Sequence, residues 1–272
     1  MGFLEVKDLG KVHYHEYGSG QKLLFAFHGY GMSGEQFNVF EHSLLQQYHI
    51  VAFDHFFHGT SYLYEVKEAL VTVGMQPDSL KAYVTSWFKQ FGGQRFSLMG
   101  YSMGANMALF LVENFAEWID EVILLAPDGL IPHKGFRFLQ TSFIGKKIFR
   151  KLTYSSWMMT RILKLLRKIR IIDSSLYAIA RHETDTLQKR LNAYFTIHFI
   201  KNIRPDIKQI AALINKHHIR CRLYFGQYDG LFPQSNSKKL ISLLDRPEIH
   251  VLPMGHWLVT HELDNYMARQ TA

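Results

Sequence analysis

The 272-residue sequence predicts an α/β fold: a mostly parallel sheet of roughly eight strands, helices on both faces, and a helical insertion between two late strands. Three observations predict it. Short β-rich runs alternate with helical patterns through the first half and again near the C-terminus. Several strand runs, such as Val122-Ile123-Leu124-Leu125, are apolar without alternation, as in strands covered on both faces. The composition, 47% hydrophobic and 20% charged with a mean hydropathy of −0.08, is that of a folded soluble chain. It excludes a disordered tail, a collagen-like rod and a polytopic membrane protein.

Taken in order, Val12–Tyr17 and Lys22–Phe27 read as neighbouring strands separated by the turn Gly18-Ser19-Gly20. Glu35–Gln46 reads as a helix and His49–Phe53 as a short buried strand. Pro77-Asp78-Ser79 opens a helix to Phe91, because proline is tolerated in a first turn, and Gly92-Gly93 ends it. Arg95–Gly100 is a strand, Met103–Phe115 a helix, and Glu121–Ala126 a strand closed by Pro127. After the insertion come a helix Ile207–His217, a strand Ile219–Gly226, a helix Pro233–Leu244, a strand Glu248–Leu252 and a helix His261–Arg269. The uncharged run Phe96–Val112 spans seventeen residues, just short of the ~20 needed to cross a bilayer. Gly-Tyr-Ser-Met-Gly-Ala-Asn interrupts it, so a buried strand turning into a buried helix explains it better.

The N-terminus lacks a basic region followed by an apolar core, and Val6 stands at the hydroxyl position of a myristoylation signal. A cytoplasmic protein, peripheral to a membrane at most, is therefore expected. Cys221 is the single cysteine, so no internal disulfide is available.

The chain divides by composition into a core of residues 1–129 and 205–272 and a helical insertion, 130–204. Thirty-one Lys+Arg against 23 Asp+Glu give +8 and a pI near 9.4. Between Gly129 and Ile172 there are eleven Lys/Arg and no acid, so the other 228 residues carry a net charge of −3. The basicity is local. The insertion reads as a lid over the C-terminal edge of the sheet, where ligands bind in open α/β folds, or as a peripheral bulge. Lys146-Lys147, Arg150-Lys151 and Lys164–Arg170 interleave cations with apolar residues at near-helical spacing. Three readings stay open: a helix on an anionic membrane surface, a dock for an anionic acyl donor such as a coenzyme A ester or acyl carrier protein, or a solvated basic face. The residues Phe136, Phe138, Phe143, Phe149, Trp157 and Met158-Met159 would line an apolar pocket if they face inward, and otherwise pack helices. Nucleic acid is not an expected partner, because the excess charge sits in one segment without a recognition motif. The oligomeric state stays open.

The strongest chemical signal is Gly100-Tyr101-Ser102-Met103-Gly104, a Gly-x-Ser-x-Gly where a strand hands over to a helix. A serine on so sharp a turn is exposed at the sheet edge, and the crowded backbone leaves little room for Cβ atoms two residues either side. The turn also aims the Met103 N–H toward an oxyanion beside Ser102. A serine hydroxyl needs a base to remove its proton and an acid to orient that base. Of fifteen histidines, His256 lies in a loop after the final strand; Asp229 lies just past the strand ending at Gly226. Phe27-His28-Gly29-Tyr30-Gly31 directly follows a strand, and its glycine-rich loop can present a second backbone N–H to the same oxyanion. His28 is expected to hydrogen-bond that loop rather than to react. The pairs His13/His15 and His217/His218 have no cysteine or carboxylate partner at ligand spacing and are expected on solvated strand and helix ends, so neither a metal nor another cofactor is expected.

In these features the chain resembles the α/β-hydrolase superfamily, serine hydrolases with a helical lid between the sixth and seventh strands. The likeness covers almost the whole sequence in order, from His28-Gly29-Tyr30-Gly31, through Asp54 and His58-Gly59-Thr60-Ser61, to the Ser102 elbow, Asp229 and His256. It implies Ser102 as nucleophile, Asp229 as orienting acid, His256 as base, and the backbone N–H groups of Tyr30 and Met103 as the oxyanion hole. His28, Gly29, Gly100 and Gly104 shape the site. The family's Asp-x-x-Gly-His-Gly-x-Ser reads Asp54-His55-Phe56-Phe57-His58-Gly59-Thr60-Ser61 here, with Phe57 in place of a glycine. The expected activity is hydrolysis of a carboxylic ester or thioester of a small or medium apolar acyl group through an acyl-enzyme. A carbon–carbon bond hydrolase, an acyltransferase and a catalytically silent binding scaffold are the alternatives. Serine at the elbow disfavours epoxide hydrolases and haloalkane dehalogenases, whose nucleophile there is aspartate.

Overall fold

The computed structural model describes residues 1–91, 95–127, 134–169 and 174–271, and within them one nine-stranded sheet organises the chain. The Gly92-Gly93 helix stop and the first residues of the insertion lie outside the described residues. The opening hairpin comprises β1 (Gly2–Val6) and β2 (Gly10–Tyr17); β3 (Lys22–Phe27), β4 (Tyr48–Phe53) and the two-residue β5 (Tyr62–Leu63) follow. Then come α1 (Glu68–Val73), α2 (Pro77–Phe91), β6 (Phe96–Tyr101), α3 (Gly104–Phe115) and β7 (Ile119–Leu125). Five helices occupy the insertion: α4 (Lys134–Thr141), α5 (Phe143–Tyr154), α6 (Ser156–Lys168), α7 (Ser174–His182) and α8 (Leu187–Phe199). The chain closes with α9 (Ile207–Lys216), β8 (Arg220–Gly226), α10 (Lys238–Ile241), β9 (Pro247–Leu252) and α11 (His261–Thr271).

The strand order is β1-β2-β4-β3-β6-β7-β8-β9, with β5 on the side of β2. From β4 to β9 every pairing is parallel, so the C-terminal ends of β3, β6, β8 and β9 fall on one edge. The inner parallel strands β3, β6 and β7 are buried along nearly their whole length, as their unbroken apolar sequences predict, whereas the outer strand β9 is only partly buried. On one face, the Phe53 ring stacks on Trp87 of α2 at 4.8 Å, and Tyr83 meets Trp87 edge-on at 4.7 Å. On the other, Leu24, Met99 and Ile123 pack with Leu263 and Met267 of α11. Burying each such side chain contributes ~1.5–3 kcal/mol, which is why α2 and α11 dock where they do.

Several elements depart from the sequence reading. The predicted helix Glu35–Gln46 is a 3-10 helix, Gly34–Val39, followed by turns. The backbone N–H groups of His42 and Ser43 donate instead to the Asp264 carboxylate of α11, at 3.0 and 2.8 Å, and cannot continue a helix. Pro233–Leu244 is a 3-10 helix, Gln234–Ser237, and the single turn α10. The strand β1 went unread because its hairpin turns through Asp8, a non-glycine residue at φ 58°, with Leu9 N–H donating to the Val6 carbonyl at 3.0 Å. Apart from the two-residue β5, six strands precede the insertion and two follow it.

Two compact units result: Met1–Glu65, Pro77–Ile131 and Ile203–Ala272 form the sheet unit, and Val66–Gln76 with Pro132–Asn202 form a helical one. The α1 segment joins the helices because its carbonyls are held there: Lys201 Nζ donates to the Thr72 carbonyl at 2.6 Å and Asn202 Nδ2 to the Met75 carbonyl at 3.0 Å. Serine and threonine start these helices, with Ser142, Ser155 and Thr186 each accepting a first-turn N–H. A buried Arg190 closes the helical unit by donating to the Thr153 and Thr184 carbonyls at 2.7 and 2.9 Å. Of the side chains named for an apolar pocket, Phe149 is buried and Met158 and Met159 half-buried, whereas Phe138, Phe143 and Trp157 are exposed. The Phe136 side chain lies outside the described residues.

Candidate active site

Ser102 follows β6 and takes φ 50°, a left-handed conformation that costs a non-glycine residue ~1–3 kcal/mol. The elbow is locked from both sides. Ser102 N–H donates to the Leu125 carbonyl at 2.9 Å, and Ala105 N–H returns to the Ser102 carbonyl at 3.0 Å. A Cβ on Gly100 would come within 2.6 Å of Ala105 Cα; one on Gly104 would lie 2.1 Å from the Phe27 carbonyl oxygen and 2.7 Å from that of His28. Only glycine lets α3 start so close to the end of β3.

His256, in the loop after β9, bridges the other two side chains. Its Nε2 is 3.2 Å from Ser102 Oγ and its Nδ1 is 2.8 Å from Asp229 Oδ2. The second carboxylate oxygen, Oδ1, accepts the Leu231 and Phe232 N–H groups at 2.8 and 3.0 Å. Burial alone would raise the Asp229 pKa; the hydrogen bond and charge of His256, with those two N–H donors, outweigh it and hold the carboxyl below its ordinary value. An ionised, immobile carboxylate fixes the imidazole with Nδ1 protonated and Nε2 free to accept from serine.

The two loops carrying Asp229 and His256 are stitched together through backbone. Gln227 and Tyr228 N–H groups donate to the Leu252 and Met254 carbonyls at 2.7 and 2.9 Å. Gly226 makes this possible, since a Cβ there would sit 2.1 Å from the Gly255 carbonyl oxygen. Tyr101 adds a clamp that sequence reasoning missed: its hydroxyl donates to the His256 carbonyl at 3.0 Å. Burial first, then the Asp229 charge, pushes the Tyr101 pKa up despite a Leu258 N–H donor, so the phenol stays a donor. It is the first variable position of Gly-x-Ser-x-Gly, and only the fold shows what it reaches.

Tyr30 follows β3, the strand beside β6, in a tight turn where Met32 N–H donates to the Gly29 carbonyl at 3.3 Å. Gly31, at φ 75°, takes the left-handed position of that turn. A Cβ on Gly29 would press to 2.8 Å from the Tyr101 ring. Met103 is the N-terminal cap of α3, so its backbone N–H lies at the start of that helix. Both amides therefore sit on the edge that carries Ser102, in neighbouring elements, and an N–H at a helix start favours negative charge.

His28 is fully buried, with Nδ1 donating to the Gly29 carbonyl at 2.7 Å and Nε2 accepting the His55 N–H at 2.9 Å. Burial, and then the neighbouring imidazoles of His55 and His58, hold its pKa far below the ordinary value, so it is a neutral brace. Phe57 takes φ 69°, the left-handed backbone to which the glycine implied there by the resemblance is suited.

One sequence expectation is corrected. His13 and His15 do not sit on a solvated strand end: they face Asp54, which follows β4, with His13 Nδ1 at 2.9 Å from Oδ2 and His15 Nε2 at 3.4 Å from Oδ1. The pairing crosses forty-one positions, out of reach of any spacing rule. The three donor atoms lie within 4.8 Å of one another and have the chemistry to hold a small cation. Asp54 is already occupied, however: Oδ1 accepts the Gly34 N–H at 2.7 Å and Oδ2 the His13 ring, so the group acts as a brace for the loops after β3 and β4. His217 and His218 do lie just past α9.

No curated protein matches the sequence. Among solved structures, the chain is similar to a thermophilic esterase from Thermogutta terrifontis (TM-score 0.68, 12% identity, 96% of this chain and 92% of that one). It is similar to an esterase from Exiguobacterium antarcticum (TM-score 0.65, 16% identity, 100% and 98%). A meta-cleavage product hydrolase from Pseudomonas fluorescens gives 0.64, 16% identity, and 100% and 95%. At these identities the likeness shows the fold. The sequence model of the serine aminopeptidase S33 family matches residues 18–263, nine-tenths of the chain, and the chain belongs to that family of α/β-hydrolase enzymes.

Proposed function

We propose that the protein hydrolyses a carboxylic ester or thioester of a small or medium apolar acyl group through an acyl-enzyme on Ser102. The observation that carries this reading is the pair of contacts at His256, 3.2 Å to Ser102 Oγ and 2.8 Å to Asp229 Oδ2. As Oγ attacks the carbonyl, Nε2 takes its proton, and the oxyanion forms against the Met103 and Tyr30 N–H groups. Collapse expels the alcohol or thiol, protonated by His256; the same Nε2 then draws a proton from water, which attacks the acyl-enzyme, and returns that proton to Ser102 Oγ as the carboxylic acid leaves. Met103 beside the serine and Phe232, whose ring lies 5.3 Å from that of His256, present apolar surface to the acyl group. Each oxyanion donor is worth ~10²–10³ in turnover.

The test is a p-nitrophenyl ester series of increasing chain length together with fluorophosphonate labelling. Wild-type protein is expected to turn over the short esters and to carry the phosphonate on Ser102, and Ser102→Ala to lose both while keeping its thermal midpoint. Labelling without ester turnover points to carbon–carbon cleavage or to acyl transfer, which use the same three side chains. Neither labelling nor turnover leaves a binding scaffold.

A further inference from the structure

We infer that the solvent face of α5 and α6 binds the surface of an anionic phospholipid bilayer. These helices pack inward with few residues: Phe149, Leu152 and Thr153 from α5 and Leu163 from α6. Their outer faces are the unusual ones. On α5, Phe143, Ile144 and Ile148 stand exposed beside Lys147 and Lys151, with Phe143 72% and Ile144 63% accessible. On α6, one stripe carries Trp157, Arg161, Lys164, Leu165 and Lys168, with Trp157 65% accessible. Residues 143–169 contain eight Lys/Arg and no Asp or Glu.

A basic face that serves only to stay solvated does not need a large aromatic or aliphatic residue at every turn among its cations. A phosphate-backbone surface for nucleic acid has no use for Ile144, Ile148 and Leu165. Cations and apolar side chains on one exposed face are what an interfacial helix requires: the rings and aliphatics enter the headgroup region while the cations meet lipid phosphate. The cations are already arranged so. Lys147 Nζ lies 4.2 Å from the centre of the Phe143 ring and the Arg161 guanidinium 4.4 Å from that of Trp157, so each charge sits beside the group that would insert. An open cleft of about 600 Å³ on α5, lined by Lys147, Arg150, Lys151, Tyr154 and Ser155, gathers three cations and two hydroxyls, the donors a phosphate headgroup takes. Arg150 also pairs with Glu68 at 2.8 Å, whereas no ion pair to Lys147 or Lys151 is found among the described residues.

The experiment is co-sedimentation of the full chain with phosphatidylcholine vesicles, with and without about 30% phosphatidylglycerol. Binding is expected only to the anionic vesicles. It should fall at least tenfold between about 0.1 M and about 1 M salt, as the screening length shrinks from about 10 Å to about 3 Å. The variant Lys147→Glu/Lys151→Glu/Lys164→Glu/Lys168→Glu should lose binding at least tenfold at an unchanged thermal midpoint, since all four side chains are exposed. Brominated anionic lipid should quench tryptophan fluorescence in the wild type, and Trp157→Phe should abolish that quenching. Equal binding to neutral and anionic vesicles, quenching that survives Trp157→Phe, or retention of an acidic acyl carrier protein without vesicle binding would each overturn the inference. None of these readouts depends on ester turnover, so the surface and the proposed chemistry stand or fall separately.

Discussion

Replacing Asp229 by asparagine tests the site at its most informative point, because the structure dictates how the amide must lie. Oδ1 accepts two backbone N–H groups, from Leu231 and Phe232, at 2.8 and 3.0 Å. Those groups can only donate, so the asparagine oxygen must stay on them and its NH₂ must turn to His256 Nδ1. Nδ1 then has to accept, which moves the ring proton to Nε2, 3.2 Å from Ser102 Oγ. A protonated Nε2 cannot take the serine proton. Wrong-tautomer histidine in such a site costs ~10⁴ in turnover, ~5.4 kcal/mol of barrier. Folding should change little, since shape and backbone hydrogen bonds are kept. Asp229→Ala, by contrast, strands two N–H groups and costs ~1–3 kcal/mol for each that stays buried and unpaired. The assay is steady-state hydrolysis of a short p-nitrophenyl ester with a chemical melt of the same samples. Asparagine variant turnover within tenfold of wild type, at an unaltered melt, would refute the role given to Asp229.

Gly104→Ala puts a Cβ 2.1 Å from the Phe27 carbonyl oxygen, rigid backbone on both sides, so α3 must retreat from β3. Stability should drop by ~3 kcal/mol, and a shift of ~1 Å between the Met103 and Tyr30 amides should cost ~10²-fold in kcat, read from a urea melt and the ester assay. Tyr101→Phe frees the His256 carbonyl; kcat should fall about tenfold and KM stay put, with ~1–3 kcal/mol lost in the melt. Acid should unfold the chain from below the ordinary histidine range. Burial first, then the charge of His58, lowers His55 from 6.5 to about 3, so between those values the unfolded chain holds the extra proton and stability falls as pH falls. His55 should therefore contribute to a loss of stability as pH falls through the ordinary histidine range. Urea midpoints at pH 7 and pH 5 should differ accordingly, and His55→Gln should flatten the difference.

What was legible in the sequence is what local sterics and chain order write there. Gly100 and Gly104 mark the elbow because nothing larger fits, and Ser102, Asp229 and His256 each follow a strand that the sequence predicts. What was not legible depends on contacts between remote strands. Glu121 of β7 and Arg222 of β8 form a buried bidentate pair at 2.7 and 2.9 Å, with the Tyr48 hydroxyl donating to Glu121 at 2.7 Å. Within their own segments these charges read as ordinary strand punctuation. Asp264 reads as a helix residue, yet its carboxylate, more than two hundred positions from His42 and Ser43, decides that their segment is not a helix.

The remaining departure, Phe57, gains meaning from the backbone around it. Among the described residues, five non-glycine residues have positive φ: Asp8 and His218 in surface turns, and Phe57, Ser102 and Ala126 at the C-terminal edge of the sheet. The last three follow β4, β6 and β7, and each conformation costs ~1–3 kcal/mol. A chain that places them together must hold them with something stiffer. For two of them that is the ladder itself: Ser102 N–H donates to the Leu125 carbonyl, and Ala126 N–H to the Tyr224 carbonyl of β8 at 2.8 Å, so Ser102 and Ala126 are each pinned by the next strand. Strain at this edge thus measures how firmly the parallel strands fix the loops that carry Ser102 and its neighbours. Phe57 is held differently: Asp54, three residues earlier, is anchored by the Gly34 N–H and the His13 ring, which fixes the start of the loop that carries it.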